Sequence, residues 1–371
     1  MRPLLAGLGL AVCARLPRPA AACGAMFHRP GEMAEQRTFE AIFSPGDGQV
    51  QVDYKVIYQG GATEFGWVLP IPGAFLNLED STADFEALFA ATNPELDLEE
   101  VKEGGCMAGN SKGEDGLGGG DDTGSAVDIV AQGFTGTYGY TVLEATDTSA
   151  LVAWLDAHGW EMGASAEGLQ AYVDEGGYQF VAVELAADHE GADDEEVYAL
   201  PGIAIQYEGA RVEWPARMAR YGMDGLTHSI LYVRGDQRAR LSGGWTEVAL
   251  PLVWDDGEAP DYLRYEAFPG ELSAAGTERA FATVFAGPVA ADVVGSDADE
   301  GWVTRFETLS QPDVHTADAV FAVDAGTEEL RTLISNRGGC QKPEGALLLV
   351  LPGLGLLARR RLSRSSPRPR G

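Results

Sequence analysis

Serine, histidine and carboxylate side chains are the groups that could do chemistry in this chain, and their spacing limits which chemistry each can reach. Gly163-Ala164-Ser165-Ala166-Glu167-Gly168 approaches a nucleophile-elbow pattern, but its second glycine falls one residue late and no strand precedes it. Ser165 reads better as the cap of a helix. The five histidines, His28, His158, His189, His228 and His315, are scattered, and no pair sits at i, i+4 as a zinc-binding helix requires. His158 falls at a helix C-terminus, where a cation is favoured on electrostatic grounds alone.

Carboxylates are the richest set. Asp297-Ala298-Asp299-Glu300-Gly301 begins like a calcium loop, yet Gly301 comes one position early and Thr308 stands where a bidentate Glu is needed. Asp193 and Asp194, followed by two glutamates, and Asp121 with Asp122 are further neighbouring hard-oxygen ligands. Asp121, Asp122, Asp193, Asp194, Asp297 and Asp299 are therefore the candidate calcium ligands, and no other cofactor is indicated. Runs of like charge are more often solvated loops. Paired carboxylates for glycoside hydrolysis are defined by separation in space, so the sequence singles out no pair. Trp67, Trp154, Trp214, Trp245 and Trp254 offer faces for sugar or partner stacking, although Trp67 and Trp154 lie in apolar pattern that suits a core.

Charge sets the partners. The chain carries a formal net charge of −31, and no Lys or Arg occurs between Gly113 and Ala210. Such a field repels nucleic acid and anionic lipid, which excludes a nucleic-acid role, and it favours solubility and loose cation binding.

The two ends read as targeting segments. Met1-Arg2, the apolar Leu4 to Ala14 and the small Ala20-Ala21-Ala22 before Cys23 are the parts of a secretory signal, interrupted by Arg15 and Arg18. At the other end Cys340 precedes a polar spacer, the apolar run Gly345 to Ala358 with Pro352 inside it, and Arg359, Arg360 and Arg361. That run is shorter than a full membrane span, and the arginines fit retention on the cytoplasmic side. Three of the four cysteines remain after signal removal. In an oxidising compartment Cys23 and Cys106 are expected to form a disulfide, with lipidation as the rival fate of Cys23 and Cys340 left for modification or intermolecular bonding.

Among the expected elements, Arg37 to Phe43 alternates, and Ser44-Pro45-Gly46-Asp47-Gly48 is turn chemistry. Val50, Val52, Tyr54, Val56 and Tyr58 then share a face, with Gln51, Asp53 and Lys55 on the wet side. Phe65 to Leu69, ending at Pro70-Ile71-Pro72, completes a three-stranded antiparallel start. Ser81, Thr148 and Ser165 are expected to cap helices bearing Phe85/Leu88/Phe89, Leu151/Trp154/Leu155 and Leu169/Tyr172/Val173. Gly104 to Ser125 reads as a loop or linker and Asp188 to Glu196 as an acidic loop. Strands are expected at Tyr178 to Leu185, around Ile203/Ile205/Tyr207, at Ser229 to Val233, Phe281 to Phe285, Trp302 to Phe306 and Val320 to Val323. Helices and strands do not alternate regularly, so the expected fold is α+β, a largely antiparallel β-sheet with a few short helices packed on it.

Several of these stretches carry a resemblance. Ala22-Cys23-Gly24, Tyr58-Gln59-Gly60, the run Phe65-Gly66-Trp67-Val68-Leu69-Pro70-Ile71-Pro72, Thr92-Asn93-Pro94, Tyr140 to Ala145, Gly177 to Val183 and Val303 to Phe306 resemble the bacterial domain-of-unknown-function 2330 family over most of residues 22–325. The tail resembles the Cys, apolar, arginine-rich sorting signals of myxobacterial-type surface proteins. The resemblance implies export and a shared fold, and it implies no activity.

The resulting organisation is a signal peptide at 1–22, an exported acidic α+β domain at 23–337 with a candidate sub-boundary at 104–125, and a sorting or anchor tail at 338–371. The expected role is a surface-anchored, non-catalytic protein of binding, adhesion or envelope architecture. Its expected partners are envelope or extracellular ones, the membrane through the tail and a sorting protease. A secreted hydrolase or metal-assisted enzyme using scattered carboxylates is the alternative, and a calcium-stabilised surface module is the weaker one.

Overall fold

A computed structural model describes residues 25–28, 35–59, 65–93, 95–97, 127–160, 162, 165–185, 197–199, 201–223, 225–248, 279–290, 293, 300–323, 326–331 and 333–335. In chain order its elements begin with β1 (Ala25–His28), β2 (Glu35–Gly46), β3 (Gln49–Gln59), β4 (Phe65–Ile71), β5 (Phe75–Asp80), α1 (Phe85–Ala91) and β6 (Glu95–Asp97). There follow β7 (Val127–Phe134), β8 (Tyr138–Ala145), α2 (Thr148–Ala157), α3 (Ala166–Glu175), β9 (Gln179–Leu185), β10 (Val197–Ala199), β11 (Ile203–Glu208), β12 (Val212–Trp214) and α4 (Ala216–Ala219). The last are β13 (Thr227–Gly235), β14 (Arg240–Gly243), β15 (Thr246–Val248), β16 (Ala280–Ala290), β17 (Glu300–Ser310), β18 (Ala319–Ala322), β19 (Leu330–Arg331) and β20 (Leu333–Ser335).

Two sheets face each other across one core. The larger runs β15-β16-β17-β13-β2-β3-β11-β5, with β10 also on β3 and β19 on β16; the smaller runs β1-β4-β9-β8-β7. A three-stranded sheet β12-β18-β14 and a β6–β20 pair complete the described strands. Pairing is antiparallel except at β2–β13, β15–β16 and β6–β20, which are parallel. The structure is α+β, with largely antiparallel sheets and, among the described residues, four short α-helices.

Period-2 alternation explains the layers. Phe39, Ala41 and Phe43 of β2 and Val50, Val52 and Tyr54 of β3 turn one way, into a cluster shared with Trp67, Leu69 and Ile71 of β4 and Val181, Val183 and Leu185 of β9. The other side of the small sheet, including Val68, Leu143 and Phe180, is covered by Leu151 and Leu155 of α2 and Leu169 and Tyr172 of α3. The other side of the large sheet, with Ile42, Ile230, Tyr232 and Val303, is covered by Phe85 and Leu88 of α1. The order of layers is helix, sheet, sheet, helix, with an apolar seam at each boundary.

Several local expectations need correction. β4 does not extend the β2–β3 hairpin; it pairs with β1 and β9 in the opposite sheet, where one of its apolar faces, with Trp67 and Leu69, joins the shared core and the other, with Val68, lies under α2 and α3. Pro70 lies inside β4 opposite Phe180, beyond the last β1 partner Val68, where the missing N–H is needed by no described strand. The β2–β3 turn is confined to Asp47 and Gly48, at φ 52 and 76, the left-handed pair a two-residue hairpin demands. Asp53 is not on a wet face: it is 2 % exposed and accepts hydrogen bonds from Ser81 Oγ at 2.7 Å and Gln51 Nε2 at 3.0 Å. Ser81 is thereby drawn away from α1, whose cap is Asp84, accepting from Ala87 N at 2.8 Å. Asp147 rather than Thr148 caps α2, accepting from Ala150 N at 2.8 Å, and Ser165 occupies the α3 cap position without a side-chain bond.

Candidate functional site

A half-open cavity lies where α3 ends. Gly176 and Gly177 take φ values of 71 and 78, which glycine adopts without a Cβ clash, so the chain turns from the helix directly into β9. That turn sets Tyr178 and Gln179 beside Tyr172 and Val173 of the last helical turns. Glu144 and Thr146, at the end of β8, form the opposite wall of a cavity of about 390 Å³. Gln179 is fixed at both ends of its amide: Oε1 accepts from Phe75 N at 2.8 Å, and Nε2 donates to Glu144 Oε2 at 3.1 Å.

Behind the two tyrosines lies a set of paired charges. Tyr178 Oη donates to Glu213 Oε1 at 2.8 Å, and the Arg211 guanidinium contacts the other carboxylate oxygen. Tyr172 Oη donates to Asp318 Oδ1 at 2.8 Å; Arg217 donates to the same carboxylate from its backbone N at 2.8 Å and from Nε at 2.7 Å. Arg217 also reaches Glu175 Oε2 at 2.8 Å and lies 4.3 Å from the Tyr172 ring centroid. Tyr172 and Tyr178 meet edge to face at 4.9 Å. Burial, reinforced by the Asp318 charge, pushes the Glu213 carboxyl up to about 7, despite Tyr178 and Arg211. Burial first, then the carboxylate each one faces, raises both tyrosine hydroxyls well above their usual range.

Chemically, Glu213 holds a proton that is exchangeable near neutrality, the property of a general acid or base. Its two oxygens are nevertheless committed to Tyr178 and Arg211, and it lies behind the rings that wall the cavity. The network braces α3 against β12 and the turn before β18.

Two other polar groupings escaped the sequence reading. Under α1, the fully buried Arg305 pairs with Glu307 Oε1 at 2.5 Å and donates to Asn93 Oδ1 at 3.0 Å, while its guanidinium lies 4.2 Å from the Phe89 ring centroid. Glu307 Oε2 is 2.8 Å from His228 Nε2; burial opposes its charge, but Arg305 and His228 outweigh burial and hold that carboxyl below its usual range. Glu40, across the sheet, is raised by burial against the pull of Lys55, Arg305 and His228. Cross-strand register is what assembles this set, since Glu40 and Glu307 both lie opposite Ile230 of β13.

The second grouping is a contact between Ser310 Oγ and His315 Nε2 at 2.8 Å, the distance of an activated nucleophile. Both residues are buried, His315 is packed 5.3 Å from Trp214 and 5.1 Å from Trp245, and burial pulls it down to about 4, so it is neutral at pH 7. The pair reads as a polar contact inside an aromatic core. Its sequence signal was only a serine and a histidine either side of Pro312.

Trp214 and Trp245 thus belong to the core with Trp67, and Trp154 stacks on His158 at 3.7 Å. His158 takes the expected place at the end of α2, its Nδ1 2.6 Å from Trp154 O. The calcium candidates Asp121, Asp122, Asp193, Asp194, Asp297 and Asp299 lie outside the described residues, as do Trp254, Cys23, Cys106, Cys340, Arg359, Arg360 and Arg361. Among the described residues no group of three or more His, Cys, Asp or Glu side chains could hold a metal ion, and no helix is long and apolar enough to cross a membrane.

A family model for uncharacterized proteins conserved in bacteria (DUF2330) matches residues 17–332. The chain belongs to that family. The DUF2330 match bears out the resemblance read from the sequence, and it spans the described elements up to β19, all three polar groupings and the cavity. No curated protein matches the chain. Among solved structures, the crystal structure of baculovirus P35 is similar at a TM-score of 0.35 and 9 % identity, covering 78 % of this chain and 97 % of that chain. A likeness so distant carries no argument about what this DUF2330 protein does.

Proposed function

We propose that this DUF2330 protein is exported and anchored at the cell surface, and that it acts there by binding rather than by catalysis. The cavity at the end of α3 is the observation that supports this best. Its walls are fixed by Gln179 and the two glycines, while the ionisable groups next to it are tied to one another: Glu213 to Tyr178 and Arg211, Asp318 to Tyr172 and Arg217. A preformed hollow with committed neighbours suits holding a ligand more than transforming one.

The targeting part of the proposal rests on the ends of the chain. Residues 1–22 would leave as a signal peptide, Cys23 would pair with Cys106, and the tail from Cys340 to the three arginines would meet a sorting protease and the membrane. Mapping both mature termini by mass spectrometry on fractionated cells tests it. A start at Cys23 and an end near Cys340 is the expected result; an intact N-terminus and tail would overturn the surface role.

A secreted hydrolase is the second reading. Glu213, held near neutrality directly behind the cavity wall, is what favours it.

A further inference from the structure

Resting on the binding role just proposed, the nature of the ligand can be argued from the cavity wall. Among its described lining residues Glu144 carries the one formal charge, and no Lys or Arg is present. Gln179 holds one Glu144 oxygen through a 3.1 Å hydrogen bond, and Gln179 is itself held by the Phe75 backbone. The carboxylate is therefore oriented by the protein, with Oε1 left without a partner among the described residues.

A second source of negative potential converges on the same space. The C-terminal end of α3 lines the cavity through Tyr172, Val173 and Gly176, and a helix carries about half a negative charge at that end. The last turn of α3 contains no basic residue to neutralise it. The nearest guanidiniums, Arg211 and Arg217, lie against Tyr178 and Tyr172 and are shared among three carboxyl groups, Glu213, Asp318 and Glu175 at the end of α3, so two cations face three acids. Apart from Thr146 and Gln179, the rest of the wall is glycine, alanine and valine with the sides of the two tyrosines, which suits a short apolar stem.

We propose that this cavity binds an alkylammonium group on a short apolar stem. The ammonium sits between Glu144 Oε1 and the α3 carbonyls, and the stem lies along Val173 and the tyrosine rings. The net charge of −31 raises the local concentration of any such cation. A free amine and a lysine side chain present the same chemistry.

The test is calorimetric or saturation-transfer titration of the full chain with three probes of similar length: n-butylammonium, n-butanol and butyrate. Butylammonium is expected to bind, weakening with salt, while butanol and butyrate do not. E144Q should weaken it about tenfold, the worth of one charge-assisted hydrogen bond. E86Q, on α1 at the opposite layer, should leave it unchanged and so separates the site from general attraction to an acidic surface. N-acetyl-lysine methylamide distinguishes the sources: tighter binding than butylammonium points to a peptide side chain, equal binding to a free amine. Equal binding of butanol would overturn the cation while leaving the cavity a binding site; equal loss in E86Q, or no binding of either amine, would overturn the proposal. Failure of the surface role is read separately, from the mature termini.

Discussion

Single side chains decide how this protein responds to pH, and Glu213 is the one whose response falls nearest neutrality. Its carboxyl titrates at about 7 in the fold, against an ordinary 4.5. Between those values the native state keeps a proton that the unfolded chain has already lost. Stability from this group is therefore undiminished below about 4.5, falls as pH rises toward 7 and levels off above. The limiting slope is about 1.4 kcal/mol per pH unit for one proton, and Arg211, partly exposed beside it, narrows the window by lowering the point at which Glu213 titrates. Glu307, held below its usual range by Arg305 and His228, works in the opposite sense and only at acid pH. Thermal melts from pH 5 to pH 8 should show a falling Tm that flattens in E213Q; equal falls in both proteins would mean that Glu213 ionises as an exposed carboxyl does. From the sequence Glu213 was one acid among 57. Its perturbation depends on Tyr178 and Asp318, which come from 35 residues before it and 105 after it, beyond the reach of any local pattern.

At the scale of elements, periodicity was a sound guide and boundaries were not. The buried faces of β3 and β11 and of α1 and α2 follow from alternation and from i, i+3 spacing, and the burial of β9 on both sides follows from its continuous apolar run. Caps failed by one to three residues because Ser81, Asp84, Asp147 and Thr148 are all chemically able to cap, and only the backbone conformation chooses among them. Asp147 is extended and bonds Ala150 N; Thr148 is 7 % exposed and its hydroxyl has no hydrogen-bond partner among the described residues. D147A should cost about 1 kcal/mol of stability in chemical denaturation and T148A less than half of that. The reverse order would restore Thr148 as the cap. The misplacement of β4 has a related cause. Its two apolar faces are plain in the sequence, but which sheet receives it is settled by β9, more than 100 residues later.

For the molecule as a whole, one cluster joins Phe39 and Val52 of the large sheet to Trp67 and Val183 of the small sheet and to Trp214 and Phe321 of the third. Neither main sheet can shed its partner without exposing that cluster. Denaturation followed by tryptophan fluorescence and by far-UV circular dichroism should give coincident curves; resolved transitions would show that the sheets unfold as independent units. The irregular order of helix and strand patterns foretold the α+β class and the family resemblance foretold the membership, whereas the pairing order of the sheets depended on contacts too distant in sequence for either to reveal.

The parallel pairing of β2 with β13 also has a consequence in time. Thr38 lies opposite His228, about 190 residues further along. At the usual rate of synthesis, roughly 5–20 residues per second, β2 waits on the order of 10–40 seconds for its neighbour. During that interval one edge of the β2–β3 hairpin stays open, and the central sheet cannot close. A chain so wired remains threadable until most of it has been made, and it commits to its final shape late.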